Sequence, residues 1–251
     1  MSNYLLRPIG GLPSASPMQL PAMTAEERAV WLLPGIEFWL ECGVLQPGST
    51  TALADRTRLR SITRTGGTNT TLNGHPAIEW PGTDNAGQLV CPSYEFPQDY
   101  FIAILADLND GANARLCGRS SNTGQPLRFL ISATGSLRGD HGSTGGQLIQ
   151  QTGLTVTGPQ IFWFTRRSSD GAGEIGMSGL TALKTGSLTT NHTGGAGADF
   201  FGDSNSGTFD INGKGVRVII HNGYLGGAGN AATRGIILDY LAQVGGFALG
   251  A

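Results

Sequence analysis

Lys214 to Leu249 reads KGVRVIIHNGYLGGAGNAATRGIILDYLAQVGGFAL. Val216-Arg217-Val218-Ile219-Ile220 is a β-branched run, the composition of a buried strand. Gly223 to Gly229 follows as a glycine-rich loop. A helix comes next. Asn230 can cap it, and Ile237, Tyr240, Leu241 and Val244 fall at i, i+3, i+4 and i+7 on one face. Gly245-Gly246 stops it. A late core strand, a loop and one closing helix make an uncommon ending for a chain that otherwise reads as strands, and this ending decides the fold class.

Upstream, the turn signals recur at short intervals. Ile36, Phe38, Leu40 and Cys42 alternate with Glu37, Trp39 and Glu41, so the first strand buries one face and turns Trp39 to the other. Short β segments are expected at 59–63, 77–80, 88–91, 100–108, 115–117, 127–132, 146–151, 160–166, 174–177, 198–201, 208–211 and 216–221, a spacing typical of a sandwich or barrel. Phe101-Ile102-Ala103-Ile104-Leu105 and Ile161-Phe162-Trp163-Phe164 are apolar at every position. Those two strands are expected to be central and covered on both faces, or to face a partner.

The N-terminal part differs. Residues 1–23 carry Pro8, Pro13, Pro17 and Pro21 and read as an extended arm. The arm nonetheless holds Tyr4, Leu5, Leu6, Ile9, Leu12, Met18 and Leu20, which are more apolar than a solvated tail needs. Such side chains dock on something, either the chain's own domain or a neighbouring subunit. Thr24-Ala25-Glu26-Glu27 is a capping box that opens a short helix, and Pro34-Gly35 ends it. The expected organisation is a docking arm and short helix over 1–35 and one β domain over 36–251.

Composition narrows the partners. Charged residues are 14% of the chain and net charge is −2, so no basic field exists to hold nucleic acid or an anionic membrane. Cys42, Cys91 and Cys117 form an odd, unpatterned set and read as buried free thiols. No basic segment leads into an apolar run at the N-terminus, and no apolar run reaches the roughly 20 residues of a membrane-spanning helix. The expectation is a chain made in the cytoplasm, without membrane insertion.

The ordered set of these segments resembles the concanavalin A-like, laminin-G-like jelly-roll domains in the form common in tailed-phage and bacterial surface proteins. The resemblance is carried by Phe38-Trp39-Leu40, Leu53-Ala54-Asp55-Arg56, Gly74 to Asp84, Phe200-Phe201-Gly202, Phe209 to Gly213 and Asp239-Tyr240-Leu241 with Gly245-Gly246-Phe247. The Trp usual in the second of these is missing. The implied fold is all-β, a two-sheet antiparallel sandwich with a short N-terminal helix and a C-terminal closing helix. It implies fold far more than ligand.

Candidate chemistry is sparse. Gly227-Ala228-Gly229-Asn230-Ala231-Ala232 fits G-x-G-x-x-[G/A] between a strand and a helix. A dinucleotide fold also needs a further parallel strand and an acidic residue about 20 positions on. Neither follows, so a tight loop is expected. Asp107-Leu108-Asn109-Asp110-Gly111 hints at a calcium loop but lacks the ligand spacing, and reads as a turn. From the resemblance, Asp55, Asp84, Asp199 and Asp203 are the candidates for calcium at a sandwich rim; no other cofactor is expected. No strand carries the acidic triplet of glucanases, Glu37 and Glu41 are four apart, and Glu174 stands alone in its strand. Gly202-Asp203-Ser204 lacks a nucleophile elbow. Trp39, outward between two acids, is the best glycan-contact residue, and packing under the arm or the first helix is the competing reading.

A non-enzymatic role is therefore expected. The leading expectation is a structural protein of a phage virion, on the tail, the baseplate, a fibre or the head surface. Its arm would bind neighbouring virion proteins, and the chain would form an oligomer. The alternative is a carbohydrate-binding or adhesion module that grips a host glycan with rim loops. A convergent set of Asn, Asp and Arg beside an aromatic residue at one rim would favour it.

Overall fold

A computed structural model describes residues 23–45, 52–57, 60–82, 87–109, 114–119, 127–132, 134–142, 147–156, 158–192, 197–202 and 211–250. The chain opens with α1 (Ala25–Leu32), β1 (Ile36–Leu45), β2 (Leu53–Asp55), β3 (Ser61–Gly66), β4 (Thr68–Leu72), β5 (His75–Pro81) and β6 (Gly87–Cys91). It continues through β7 (Tyr100–Leu108), β8 (Ala114–Arg119), β9 (Leu127–Ser132), β10 (Ser136–His141), β11 (Gln147–Gln151) and β12 (Pro159–Arg166). The last elements are β13 (Ala172–Met177), β14 (Lys184–Ser187), β15 (Ala198–Phe200), β16 (Asn212–Asn222) and α2 (Ala231–Gly245).

Two antiparallel sheets pack face to face, as the sequence leads one to expect. The first runs β2-β1-β16-β7-β12-β13-β14, and β5 with β4 beyond it extends the far half of the long β16. The second runs β3-β6-β15-β8-β9-β10-β11. β2 pairs with β3 where the two sheets meet.

Alternation divides the side chains between two cores. Phe38, Leu40, Ile102, Ile104, Phe162 and Phe164 point between the sheets and meet Leu89, Leu116, Phe129 and Phe200 of the second sheet. Trp39, Phe101, Leu105, Ile161, Trp163 and Ile219 point the other way and lie under α2. That explains why β7 and β12 are apolar throughout: both faces are covered. Burial of each Leu, Ile or Phe in these cores contributes about 1.5–3 kcal/mol. Ile36 departs from the expected pattern. A register shift between Ile36 and Phe38 turns it over, and it packs with Trp39 under the helices.

The closing segment folds as read, with two differences. Ile237, Tyr240, Leu241 and Val244 are buried, and so are Leu238 and Ala242, because α1 packs on α2 and widens its covered face. Gly246 ends the helix at φ 76°, where a side chain is strained. Asn230 does not cap through its side chain; its Nδ2 donates to Gly226 O at 2.8 Å instead. At the other end of the chain Thr24 caps α1, its Oγ1 accepting from Glu27 N at 3.1 Å, while the Glu27 carboxylate turns to Arg56 instead of closing the box.

Candidate functional site

At one end of the sandwich the tips of β4 and β5, the start of β16 and the residue after β7 enclose a cleft of about 450 Å³. Gly67, Thr68, Glu79, Trp80, Pro81, Asn109 and Asn212 line it. Each enters from a strand end, so the sheets fix the geometry while the side chains remain free to meet a ligand.

The floor is Trp80. Its ring is fully buried, and its Nε1 donates to Thr65 O at 3.4 Å. Phe201 stacks behind it with ring centroids 5.8 Å apart and an interplanar angle of 25°. Two glycines make room for this stack. A Cβ on Gly67 would lie 2.7 Å from Trp80 Nε1, and one on Gly215 would lie 2.9 Å from the Phe201 ring. Phe201 itself adopts φ 58°, a costly region for an aromatic residue. Phe201 N and Gly202 N, donating to Leu116 O at 3.1 Å and Arg115 O at 3.0 Å, hold it there.

One wall is a pair of amides. Asn109 N donates to Asn212 O at 2.8 Å, and Asn109 Nδ2 donates to Asn212 Oδ1 at 2.9 Å. This bond uses one N–H of Asn109 Nδ2 and one lone pair of Asn212 Oδ1. Among the described residues no partner takes Asn212 Nδ2 or Asn109 Oδ1. The cross-strand pair Thr68 and Glu79 also lines the cleft. No ion pair or hydrogen bond engages the Glu79 carboxylate among the described residues, although Lys214 stands opposite it on β16. The cleft thus presents hydroxyl, amide and carboxylate groups, braced from beneath by a buried aromatic stack, a set suited to a polar, hydroxyl-bearing ligand.

The residues singled out in the sequence lie elsewhere. Trp39 is not a surface aromatic. It is fully buried, with Tyr240 edge-on at 5.2 Å, Trp31 at 6.1 Å and the Arg56 guanidinium 4.6 Å above its ring. The flanking acids that suggested a solvent-facing site are matched by arginines. Arg56 bridges Glu27 at 2.5 Å and Glu41 at 2.6 Å, and Arg60 meets Glu37 at 3.2 Å. The competing reading, packing under the first helix, holds. Asp55 is a structural anchor. Its Oδ1 accepts from Trp39 N at 3.1 Å, Thr57 N at 2.9 Å and Thr57 Oγ1 at 2.6 Å, and its Oδ2 from Arg60 at 2.7 Å, which leaves little for a cation. Asp199 is buried within β15 between β6 and β8, not at a rim. Asp84, Asp203 and the arm residues Tyr4, Leu5, Leu6, Ile9, Leu12, Met18 and Leu20 fall outside the described residues. Among the described residues no group of three or more His, Cys, Asp or Glu could hold a metal.

The glycine-rich loop is occupied by the chain's own acid. Glu174 Oε1 accepts from Gly227 N at 2.8 Å and from Tyr224 OH at 2.6 Å, where a phosphate would need those donors. Burial and the neighbouring Glu174 push the Tyr224 phenol up, so it is a donor rather than a nucleophile. All three cysteines are buried and free, and burial pushes the Cys42 thiol up to about 12.

A second buried polar cluster closes the opposite end of the sandwich. His141 Nε2 accepts from His192 N at 3.1 Å, so the ring proton sits on Nδ1, 3.0 Å from Tyr100 OH. Arg166 donates to Leu188 O, Gln98 O and Asn191 Oδ1 at 2.8 Å each. Burial first, and then the Arg166 and His192 charges, hold His141 down at about 2.

No family model matches the chain, and no curated protein matches it in sequence. Solved structures match it in fold. One is a sialidase of Trypanosoma rangeli in complex with sialic acid, with TM-score 0.58, 13% identity and 84% of this chain covered. A mutant of that enzyme displaying trans-sialidase activity matches with TM-score 0.58 and 13% identity over 82% of this chain. The chain spans 33% of the length of these sialidases. Another is domain 4 of an extracellular arabinanase from Geobacillus stearothermophilus, in complex with arabinotriose. It has TM-score 0.53 and 11% identity over 72% of this chain and 91% of its own. At these identities the likeness is one of fold: a two-sheet antiparallel β-sandwich, consistent with a jelly roll.

Proposed function

We propose that this protein binds carbohydrate without transforming it, and that the cleft between Asn109, Asn212, Thr68 and Glu79 is the binding site. One observation carries the reading. The bonded amides of Asn109 and Asn212 leave Asn212 Nδ2, a donor, and Asn109 Oδ1, an acceptor, with no partner among the described residues. A saccharide hydroxyl both donates and accepts, so adjacent hydroxyls satisfy such a pair. The complex of the arabinanase domain with arabinotriose supports the reading, because a sandwich of similar fold there meets an oligosaccharide. Glu79 alone supplies no acid–base pair at the cleft, and a glycosidase needs two carboxyls about 5–10 Å apart.

Calorimetric titration of the protein with a panel of oligosaccharides, arabinotriose among them, tests this. The reading requires saturable binding of at least one saccharide; a panel with no binder removes it.

For the setting we propose a phage virion surface, on the sequence resemblance alone, with residues 1–23 as the docking arm. Antibodies raised against the chain should label purified particles. Unlabelled particles would remove the setting and leave the glycan-binding reading intact.

A further inference from the structure

We infer that the cleft selects neutral saccharides and rejects acidic ones, with Glu79 as the residue that discriminates. This rests on the glycan-binding reading above and adds the class of ligand. It departs from the sialic acid held by the sialidase of similar fold.

Three features of the site lead there. Glu79 is the one ionisable group among the lining residues, and its carboxylate meets no cation within 4.0 Å among the described residues. Lys214 is its cross-strand neighbour but does not line the cleft and makes no ion pair with it. A sugar carboxylate entering here would face a like charge at short range, which costs affinity in proportion to how far water is excluded.

The hydrogen-bonding inventory points the same way. One N–H of Asn109 Nδ2 is spent on Asn212, so Asn109 offers the ligand its acceptor Oδ1 and one remaining N–H. Glu79 offers acceptors only. A carboxylate, which can only accept, would find donors on Asn212, Asn109 and Thr68 but would leave the acceptors Asn109 Oδ1 and Glu79 facing its own oxygens. Hydroxyl groups satisfy donors and acceptors alike. Specificity of this kind comes as much from the groups left unpaired in the wrong complex as from contacts in the right one.

The third feature concerns stacking. Trp80 is fully buried, so its ring gives no face to a sugar, and Pro81 is the exposed apolar residue of the cleft. Discrimination therefore falls to the polar groups.

The experiment is a paired titration. Wild-type protein and Glu79→Gln are each titrated with neutral oligosaccharides, arabinotriose and lactose among them, and with sialyllactose as lactose's acidic counterpart. Wild type is expected to bind a neutral ligand at least about tenfold more tightly than the acidic one. In Glu79→Gln that ratio should fall towards one, because the amide removes the charge and adds a donor. Equal or tighter binding of sialyllactose by wild type would overturn the inference while leaving the glycan-binding reading standing. A neutral preference that Glu79→Gln leaves unchanged would overturn the role of Glu79. If no saccharide of either kind binds, the glycan-binding reading fails and this inference goes with it. A circular dichroism melt of Glu79→Gln, expected to match wild type, shows that the variant is folded.

Discussion

Asn109 Nδ2 donates to Asn212 Oδ1 at 2.9 Å across 103 residues of sequence. The backbone repeats the contact, with Asn109 N on Asn212 O at 2.8 Å. Asn109 follows β7 and Asn212 opens β16, strands that pair along their whole length, so the sheet fixes how the two amides meet. Gly82 passes directly over Asn212. A Cβ there would lie 2.4 Å from Asn212 Cβ, so the glycine leaves the amide open to the cleft. The pair is therefore placed by the fold and left unfinished by it.

Replacing Asn212 by Ala should separate binding from stability. The residue is half-buried and its amide bond lies at the surface, so its loss should move stability by no more than about 1 kcal/mol. Losing its bonds to the ligand should weaken saccharide binding about tenfold, the worth of one or two hydrogen bonds. Calorimetry and a urea titration of the same variant measure both.

Gly67→Ala should disturb the cleft from beneath. Gly67 has φ 69°, and a Cβ would lie 2.6 Å from Ile78 and 2.7 Å from Trp80 Nε1. The combined strain and overpacking should cost about 1–3 kcal/mol. Because Trp80 is the floor, binding should weaken as well, unlike the effect of overpacking at a distant glycine such as Gly176→Ala beside Trp163. Urea midpoints and titrations of the two variants make the comparison.

Trp39 yields the opposite separation. Trp39→Ala empties a fully buried site under α1 and α2 and should cost about 3–5 kcal/mol. Trp39→Phe keeps most of the packing and should bind saccharide within about twofold of wild type, since Trp39 does not line the cleft. A Trp39→Phe protein that is stable but cannot bind would return Trp39 to the site.

How much of this was legible beforehand follows from periodicity. β7 and β9 match their expected bounds, and the closing helix was visible through Ile237, Tyr240, Leu241 and Val244, because burial writes a regular pattern. β2, β4, β10 and β14 were missed. They are short or polar, and LAD, TNTTL, SLRGDH and KTGS carry little hydrophobic alternation. The expected strand at 208–211 lies outside the described residues except for Ile211. Trp39 faces away from the inter-sheet core as its alternation indicates, and cover by the first helix is legible as the competing reading; what the sequence does not show is that α2 covers the same face. The cleft was hidden for another reason. Asn109 and Asn212 sit in ordinary turn sequences, and only strand pairing joins them.

Acid should destabilise the fold through His141. Its ordinary value is about 6.5, and the folded protein holds it at about 2. Between those values the unfolded chain binds the extra proton, so the stabilisation is complete above about pH 6.5 and is lost as pH falls. The slope from this group is about 1.4 kcal/mol per pH unit below pH 6. His192, also lowered by burial, adds in the same direction. His141→Gln, which can still accept from His192 N, should flatten the dependence by about one proton. Urea midpoints between about pH 4 and pH 7 test this; parallel curves for the two proteins would refute it.

The most direct measurement of the central claim is where a bound saccharide touches the protein. A titration of isotopically labelled protein with the tightest neutral oligosaccharide, followed by amide NMR, reports this residue by residue. The account predicts shifts concentrated at Thr68, Glu79, Trp80, Asn109 and Asn212. Shifts concentrated on the outer face of the second sheet, around Arg128 and Arg138, or none at saturating ligand, would contradict it.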